Sequence, residues 1–247
     1  MRQMTPIVKN LLIINILCFA ATWVLQTRGI DLENICGLHF LLASDFQPFQ
    51  FVTYMFMHGG LMHLALNMFA LWMFGCVMEQ TMGFKRFLTY YLICGIGAGI
   101  CQEVAQFVHY SMMEHVDVAL NNGALVHGKF VLTEYGAMDI NWWSTVGASG
   151  SIYGILLAFA MYYPNNEMFI IPIPFPIKAK YLVLGYAVIE VMDVLTRSND
   201  NVAHIAHLGG MVFGLLLILY WRYTDNHGRR SGGGTQYVSF DSYNRGL

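Results

Sequence analysis

Ser149 lies in the stretch GASGSIYG, flanked by Gly147 and Gly150, where the chain becomes apolar enough to enter a bilayer. The small residues there can serve close helix packing, or the hydroxyl can be a nucleophile held inside the membrane. A serine attacks only when a base takes its proton, and a neutral imidazole within hydrogen-bond reach can do so and later protonate a leaving amine. His204 and His207, in NVAHIAHLGGMVFG, are the candidates for that base. Acyl transfer also builds an oxyanion, which needs donors aimed at it in a poorly screened setting. His63 and Asn67, in HGGLMHLALN, stand at i and i+4 and share a helix face. Free backbone amides at the start of the serine helix add further donors and the positive end of a dipole.

Spacing favours one histidine. Gly210 and Gly214 follow His207 by three and seven residues, so the imidazole and a small-residue packing stripe share one face. Gly150 and Gly154 form the matching i, i+4 pair on the serine helix, a pattern that lets membrane helices approach closely. Tyr153, one turn after Ser149, can set its ring against the imidazole. Each signal has a plainer account by itself: GxxxG spacing is commonly mere packing, and a membrane histidine is commonly a hydrogen-bonded interior residue. His204 and His207 at i, i+3 could help bind a metal or haem, but no thiolate or carboxylate accompanies them at a defined spacing, so neither metal nor cofactor is expected. Glu190 and Asp193, in YAVIEVMDVL, could serve gating, structure or a proton path. The joint occurrence of serine, base and oxyanion donors at matched depth is what favours chemistry.

The elements that must position these residues are membrane helices. Of 247 residues, 56% are hydrophobic and 11% charged, against roughly a quarter charged in a soluble domain. A net charge of −2 without a basic cluster excludes a nucleic-acid partner, whose binding rests on phosphate neutralisation. Cys18, Cys76, Cys94 and Cys101 fall in apolar segments and Cys36 in a polar connection, which implies no disulfide framework or zinc site. Six segments qualify as bilayer crossings, which need roughly 20 mostly apolar residues each. They cover about residues 7–27, 53–78, 86–107, 146–163, 180–196 and 203–222, giving an all-α membrane protein with six transmembrane helices. The first segment ends without a convincing cleavage site and reads as retained. Pro172, Pro174 and Pro176 bar a helix between the fourth and fifth segments.

With a cytoplasmic N terminus, the inner segments hold Arg2, Lys9, Lys85, Arg86, Lys178, Lys180, Arg222, Arg229, Arg230 and Arg245, against Arg28, Lys129 and Arg197 outside. That bias predicts both termini inside. The connections at about 28–52 and 108–145, and a turn at about 198–202, then lie outside. The 108–145 connection exceeds ordinary loop length and should be partly structured or functional. Two regions are expected: a membrane domain over 1–222 and a flexible, glycine-rich cytoplasmic tail over 223–247.

GASGSIYG, HGGLMHLALN and AHLGGMVFG, in this order and in a six-helix frame, resemble the signatures of the rhomboid intramembrane serine proteases over roughly residues 50–220. By position, the resemblance implies Ser149 as nucleophile and His207 as general base. His63, Asn67 and the Ser149 amide would line the oxyanion hole, Tyr153 would pack on the base, and His58 and Glu79 would be structural. It further implies a bacterial-type enzyme that cleaves membrane-spanning proteins near the membrane boundary without metal or nucleotide; the compact design points to a bacterial cytoplasmic membrane, with an organelle membrane as the alternative. Many bacterial members carry a Trp-Arg pair in the first loop; this chain has Phe49 and Gln50 in PFQF, so the anchoring of that loop is expected to differ. The leading expectation is an intramembrane serine endopeptidase, with single-span proteins and lipid as partners. A catalytically silent rhomboid-like binding protein is the alternative, although such proteins usually lack the serine or the histidine. A proton-coupled transporter would show an internal inverted repeat, and none is visible.

Overall fold

The computed structural model of the chain describes residues 4–119, 125–133, 136–169, 175–196 and 201–230. Helix α1 (Pro6–Gln26) opens on Pro6, whose missing N–H is no loss in a first turn. The next two amides, of Ile7 and Val8, donate to the carboxylate oxygens of Glu79 at 3.0 and 2.9 Å. A carboxylate in that position satisfies orphan donors and meets the positive end of the helix dipole. Glu79 thereby fastens α1 to the next rod.

The first connection carries α2 (Leu32–Cys36), β1 (Leu38–His39) and α3 (Gln50–Thr53). Gln50 is 1% exposed. Its carbonyl accepts from the His39 and Gln47 amides at 3.2 and 3.0 Å, and its NH2 donates to the Ile35 and Asp45 carbonyls at 3.2 and 3.0 Å. One side-chain amide, using both of its ends, thus ties together three stretches of this connection. Gln50 of the PFQF stretch is the anchor of this loop.

The second apolar segment does not run as one helix from residue 53. A 3-10 turn over Tyr54–Phe56 and the extended Met57 come first, and the rod restarts after Gly59 and Gly60. It comprises α4 (Leu61–Ala70), a π-helical turn Leu71–Gly75 and α5 (Cys76–Met82). Hydropathy merges FVTYMFM with the helix because that run is as apolar as the rod; the glycine pair is what separates them.

Helix α6 (Phe84–Ser111) leads into the long connection, whose described part is an antiparallel sheet of β2 (His115–Ala119), β3 (Leu125–Thr133) and β4 (Gly136–Asp139) in that order. The next strand, β5 (Ser144–Thr145), pairs with β1, placing Leu38 opposite Thr145 and His39 opposite Ser144. Helix α7 (Ser149–Tyr162) follows at once. Two short strands, β6 (Glu167–Met168) and β7 (Ile177–Lys178), flank the proline-rich stretch. Pro172 and Pro174 lie outside the described residues. Helices α8 (Ala179–Leu195) and α9 (Asn201–Arg230) complete the described fold, and most of the turn expected at 198–202 also lies outside those residues.

The protein is mostly helical and a multi-pass integral membrane protein. Among the described residues, Pro6–Gln26, Leu61–Met82, Phe84–Ser111 and His204–Asn226 are long and apolar enough to cross a bilayer, whereas Ser149–Tyr162 is apolar but shorter. Helix occupies all six expected segments, yet α7 has 14 residues and α8 has 17, short of the roughly 20 of a full crossing. Ile13, Leu17, Leu66, Phe69, Leu184, Val188 and Leu216 point outward, an apolar belt suited to lipid.

Inside, α6, α7 and α9 pack most closely. Buried hydroxyls there find backbone carbonyls: Tyr54 donates to Gly95 at 2.6 Å, Tyr90 to Gly154 at 2.9 Å, and Ser151 to Tyr91 at 2.8 Å. Such bonds remove the penalty of a bare polar group in an apolar interior. At the end remote from Ser149, Arg86 of α6 grips Asp225 of α9 through two bonds of 2.9 and 2.7 Å. Helix α9 continues to Arg230, beyond the polar-tail boundary expected at 223; residues 231–247 of that tail are outside the described set.

Candidate active site

The segment entering α7 is held in place before the helix begins. The Gly147 amide donates to the Tyr54 carbonyl at 2.9 Å. Its φ of 127° belongs to a region that disfavours side chains. A Cβ on Gly147 would also stand 2.8 Å from both Cε1 and Nε2 of His63, so only a bare backbone lets the His63 ring lie this close to the serine turn. Ser149 is the first residue of α7, where its backbone N–H has no partner within the helix.

Glycines set the distance between α7 and α9. A Cβ on Gly210 would run into the carbonyl of Gly150, within 2.7 Å of its carbon. Helices α7 and α9 are therefore in backbone contact at this level. Gly154 and Gly214 act differently from an α7–α9 seam alone: Cβ atoms there would collide with Cys94 and with the Tyr90 hydroxyl of α6. The two glycine pairs thus accommodate three helices rather than two.

At the contact, Ser149 Oγ lies 2.9 Å from His207 Nε2. Tyr153 stacks on the His207 ring, centroids 4.1 Å apart and planes 6° from parallel. Behind the ring, His207 Nδ1 is 3.0 Å from Glu190 Oε1, while Glu190 Oε2 is 2.6 Å from His204 Nδ1. An ionised carboxylate only accepts, so both Nδ1 atoms carry hydrogen. In a neutral ring that leaves the lone pair on His207 Nε2, the atom facing the serine hydroxyl. His204 reaches the same carboxylate, whereas the Ser149 hydroxyl is bonded to His207.

Asn67 is 7% exposed, and its Nδ2 has no hydrogen-bond partner among the described residues. A buried donor without a partner calls for an explanation, and an acceptor that exists only during reaction would be one. His58 is buried edge-on against the His63 ring, centroids 5.1 Å apart. Glu79, as described, caps α1 and takes no part in this cluster.

Glu190 is the residue that sequence reasoning left without a role. It is 5% exposed and is the buried residue of α8 nearest the histidines. The available signal was an acid in an apolar helix, three residues before a second acid, Asp193. Together with His204 and His207, Glu190 also forms a cluster whose ligand-type atoms all lie within 4.8 Å of one another. The carboxylate missing from the local spacing is thus supplied by the fold.

The rhomboid-domain family model matches residues 45–224. The chain is 41% identical over 172 residues to RHOMBOID-like protein 6, mitochondrial, of Arabidopsis thaliana, covering 69% of this chain and 43% of that protein. It is 28% identical over 169 residues to the rhomboid protease AarA of Providencia stuartii, covering 66% and 52%. With the human presenilin-associated rhomboid-like protein, mitochondrial, it shares 25% identity over 199 residues, covering 73% and 44%. The chain spans about half the length of the curated relatives it matches.

Proposed function

This chain belongs to the rhomboid family, and from that premise we propose that it is an intramembrane serine endopeptidase acting on transmembrane proteins. The observation that carries the proposal is the line Ser149 Oγ, His207 Nε2, His207 Nδ1, Glu190 Oε1, with separations of 2.9 and 3.0 Å at its two hydrogen bonds. Ser149 Oγ attacks the scissile carbonyl carbon as His207 Nε2 takes the hydroxyl proton. The carbonyl oxygen becomes an oxyanion, held by the Ser149 amide, the Asn67 side chain and His63. The C–N bond then breaks, His207 returns the proton to the leaving amine, and water repeats the sequence to release the acyl group. Glu190 keeps the imidazole in the tautomer that can accept, and the Tyr153 ring limits its rotation.

Depth supports the same reading. Fourteen residues make α7, a length of about 21 Å against a hydrocarbon core of about 30 Å. With its C-terminal end at one boundary, α7 leaves Ser149 below the opposite one, where a peptide bond near a membrane boundary could reach it. The basic-residue bias puts that boundary on the outer side and both chain ends inside.

The purified protein, incubated in liposomes with a single-span substrate, should yield one cut that Ser149→Ala and His207→Ala both abolish. His204→Ala should leave measurable turnover. A serine-directed phosphonate should label the protein and fail to label Ser149→Ala. Substrate capture without any cut or labelling would make the chain a silent binding protein instead.

A further inference from the structure

We propose that Glu190, His204, His207 and Asp193 form a binding site for a divalent transition metal such as zinc, and that occupation of this site switches off the serine-histidine pair. The switching part rests on the protease reading; the site itself does not. Helix α8 offers two carboxylates at i, i+3 and α9 two imidazoles at i, i+3, so two donors project from each of two packed helices. Glu190, His204 and His207 already present atoms within 4.8 Å of one another. Asp193 Oδ2 stands 3.8 Å from His204 Nδ1. Ligands 2.0–2.2 Å from a tetrahedral metal are separated by about 3.4 Å, so side-chain shifts on the order of 1 Å would complete the shell. Imidazole with carboxylate suits zinc or cobalt(II), and the lack of a thiolate disfavours copper(I). Access is one-sided: the side chains of His204 and Asp193 are 20% and 39% exposed, and that of Glu190 6%. Asp193 and His204 lie two and three residues from the C-terminal end of α8 and the N-terminal end of α9, so an ion arriving at that end meets them before the buried Glu190.

Inhibition follows from the tautomer. In the metal-free site Glu190 accepts from both Nδ1 atoms, which leaves His207 Nε2 free to accept from Ser149. A metal on His207 Nδ1 needs the lone pair there, so the proton of the neutral ring must sit on Nε2. That nitrogen then donates towards Ser149 and takes no proton from it. The metal also occupies the Glu190 carboxylate that orients the ring. No net proton is released from either neutral ring; each moves its hydrogen from one nitrogen to the other.

The full-length Ser149→Ala protein in detergent, titrated with cobalt(II), should bind one ion per chain with the intense visible bands of a four-coordinate site, and zinc should displace it. Adding His204→Gln keeps an amide donor for Glu190 but removes the imidazole. It should weaken binding by about a hundredfold or more, since even outer-shell changes weaken metal sites by about ten- to a hundredfold. Circular dichroism on each variant establishes that the helices are intact. In the active protein, zinc should suppress cleavage and a chelator restore it. His204→Gln, measured against its own metal-free rate, should resist zinc. Absence of cobalt bands, or bands unchanged by His204→Gln, overturns the site. Cobalt binding with cleavage indifferent to zinc overturns the switch. If the active protein cuts nothing, the protease reading fails while the cobalt titration still decides the site.

Discussion

Ser149, His207 and Glu190 come from three helices, and each does something the other two cannot. In the proposed reaction the hydroxyl would supply the nucleophile, the imidazole would move its proton, and the carboxylate would fix which nitrogen is free. Glu190→Gln should lower kcat by about two orders of magnitude or more while leaving KM nearly unchanged, because an amide NH2 can turn the ring into the wrong tautomer. A substitution that only loosened packing would instead lower the amount of folded protein. His63→Ala and Asn67→Ala should each slow cleavage by roughly one to three orders of magnitude, read as kcat with folding intact. If neither changes turnover, the donors assigned to the oxyanion are wrong. Ser149, His207, Tyr153, His63 and Asn67 were visible as candidates in the sequence because each announces itself within one helical turn of a glycine or a second polar residue. Glu190 was visible only as an acid in an apolar helix. Its role depends on how α8 is rotated against α9, and that rotation has no local signature.

At the level of helices, close approach decides whether the site exists. Gly210→Ala places a methyl against the Gly150 carbonyl, where no flexible side chain can give way. It should part α7 from α9, abolish cleavage, and destabilise the fold by about 1–3 kcal/mol in reversible unfolding. Gly185 of α8 offers a control, since a Cβ there meets nothing within 4 Å. Gly185→Ala should leave cleavage intact and add up to about 1 kcal/mol from helix propensity. Small-residue spacing was legible in the sequence, but the division of labour was not: Gly154 and Gly214 open room for α6 side chains, a partner that spacing on α7 and α9 does not name. The break before Leu61 and the sheet after α6 were likewise only partly legible. Hydropathy counts apolar residues and does not see that Gly59 and Gly60 end one element before the next begins.

The whole molecule shows the apolar surface of a lipid-solvated bundle, and it joins its α6–α9 pair at the end remote from Ser149. Arg86 and Asp225 form a bidentate pair whose side chains are 24% and 43% exposed. Partial exposure makes it a modest contributor, so Asp225→Asn should cost less than about 1 kcal/mol, and the difference should shrink as salt rises. Membrane residence and a largely helical fold could be read from composition alone. The number of full crossings could not, because α7 stops at 14 residues and α8 at 17.

The Arg86–Asp225 pair and the Gly150–Gly210 contact lie 15 residues apart along α9, about 22 Å. Helix α9 is thus held against α6 at one level and against α7 at another. Helix α8 has buried residues Ala179 and Val183 near its start and then Glu190 as its inward foothold. In the proposed enzyme, an outward movement of α8 would draw the Glu190 carboxylate away from His207. Such a movement would leave the imidazole without the acceptor that sets its tautomer, so the readiness of the base would be tied to the seating of one helix.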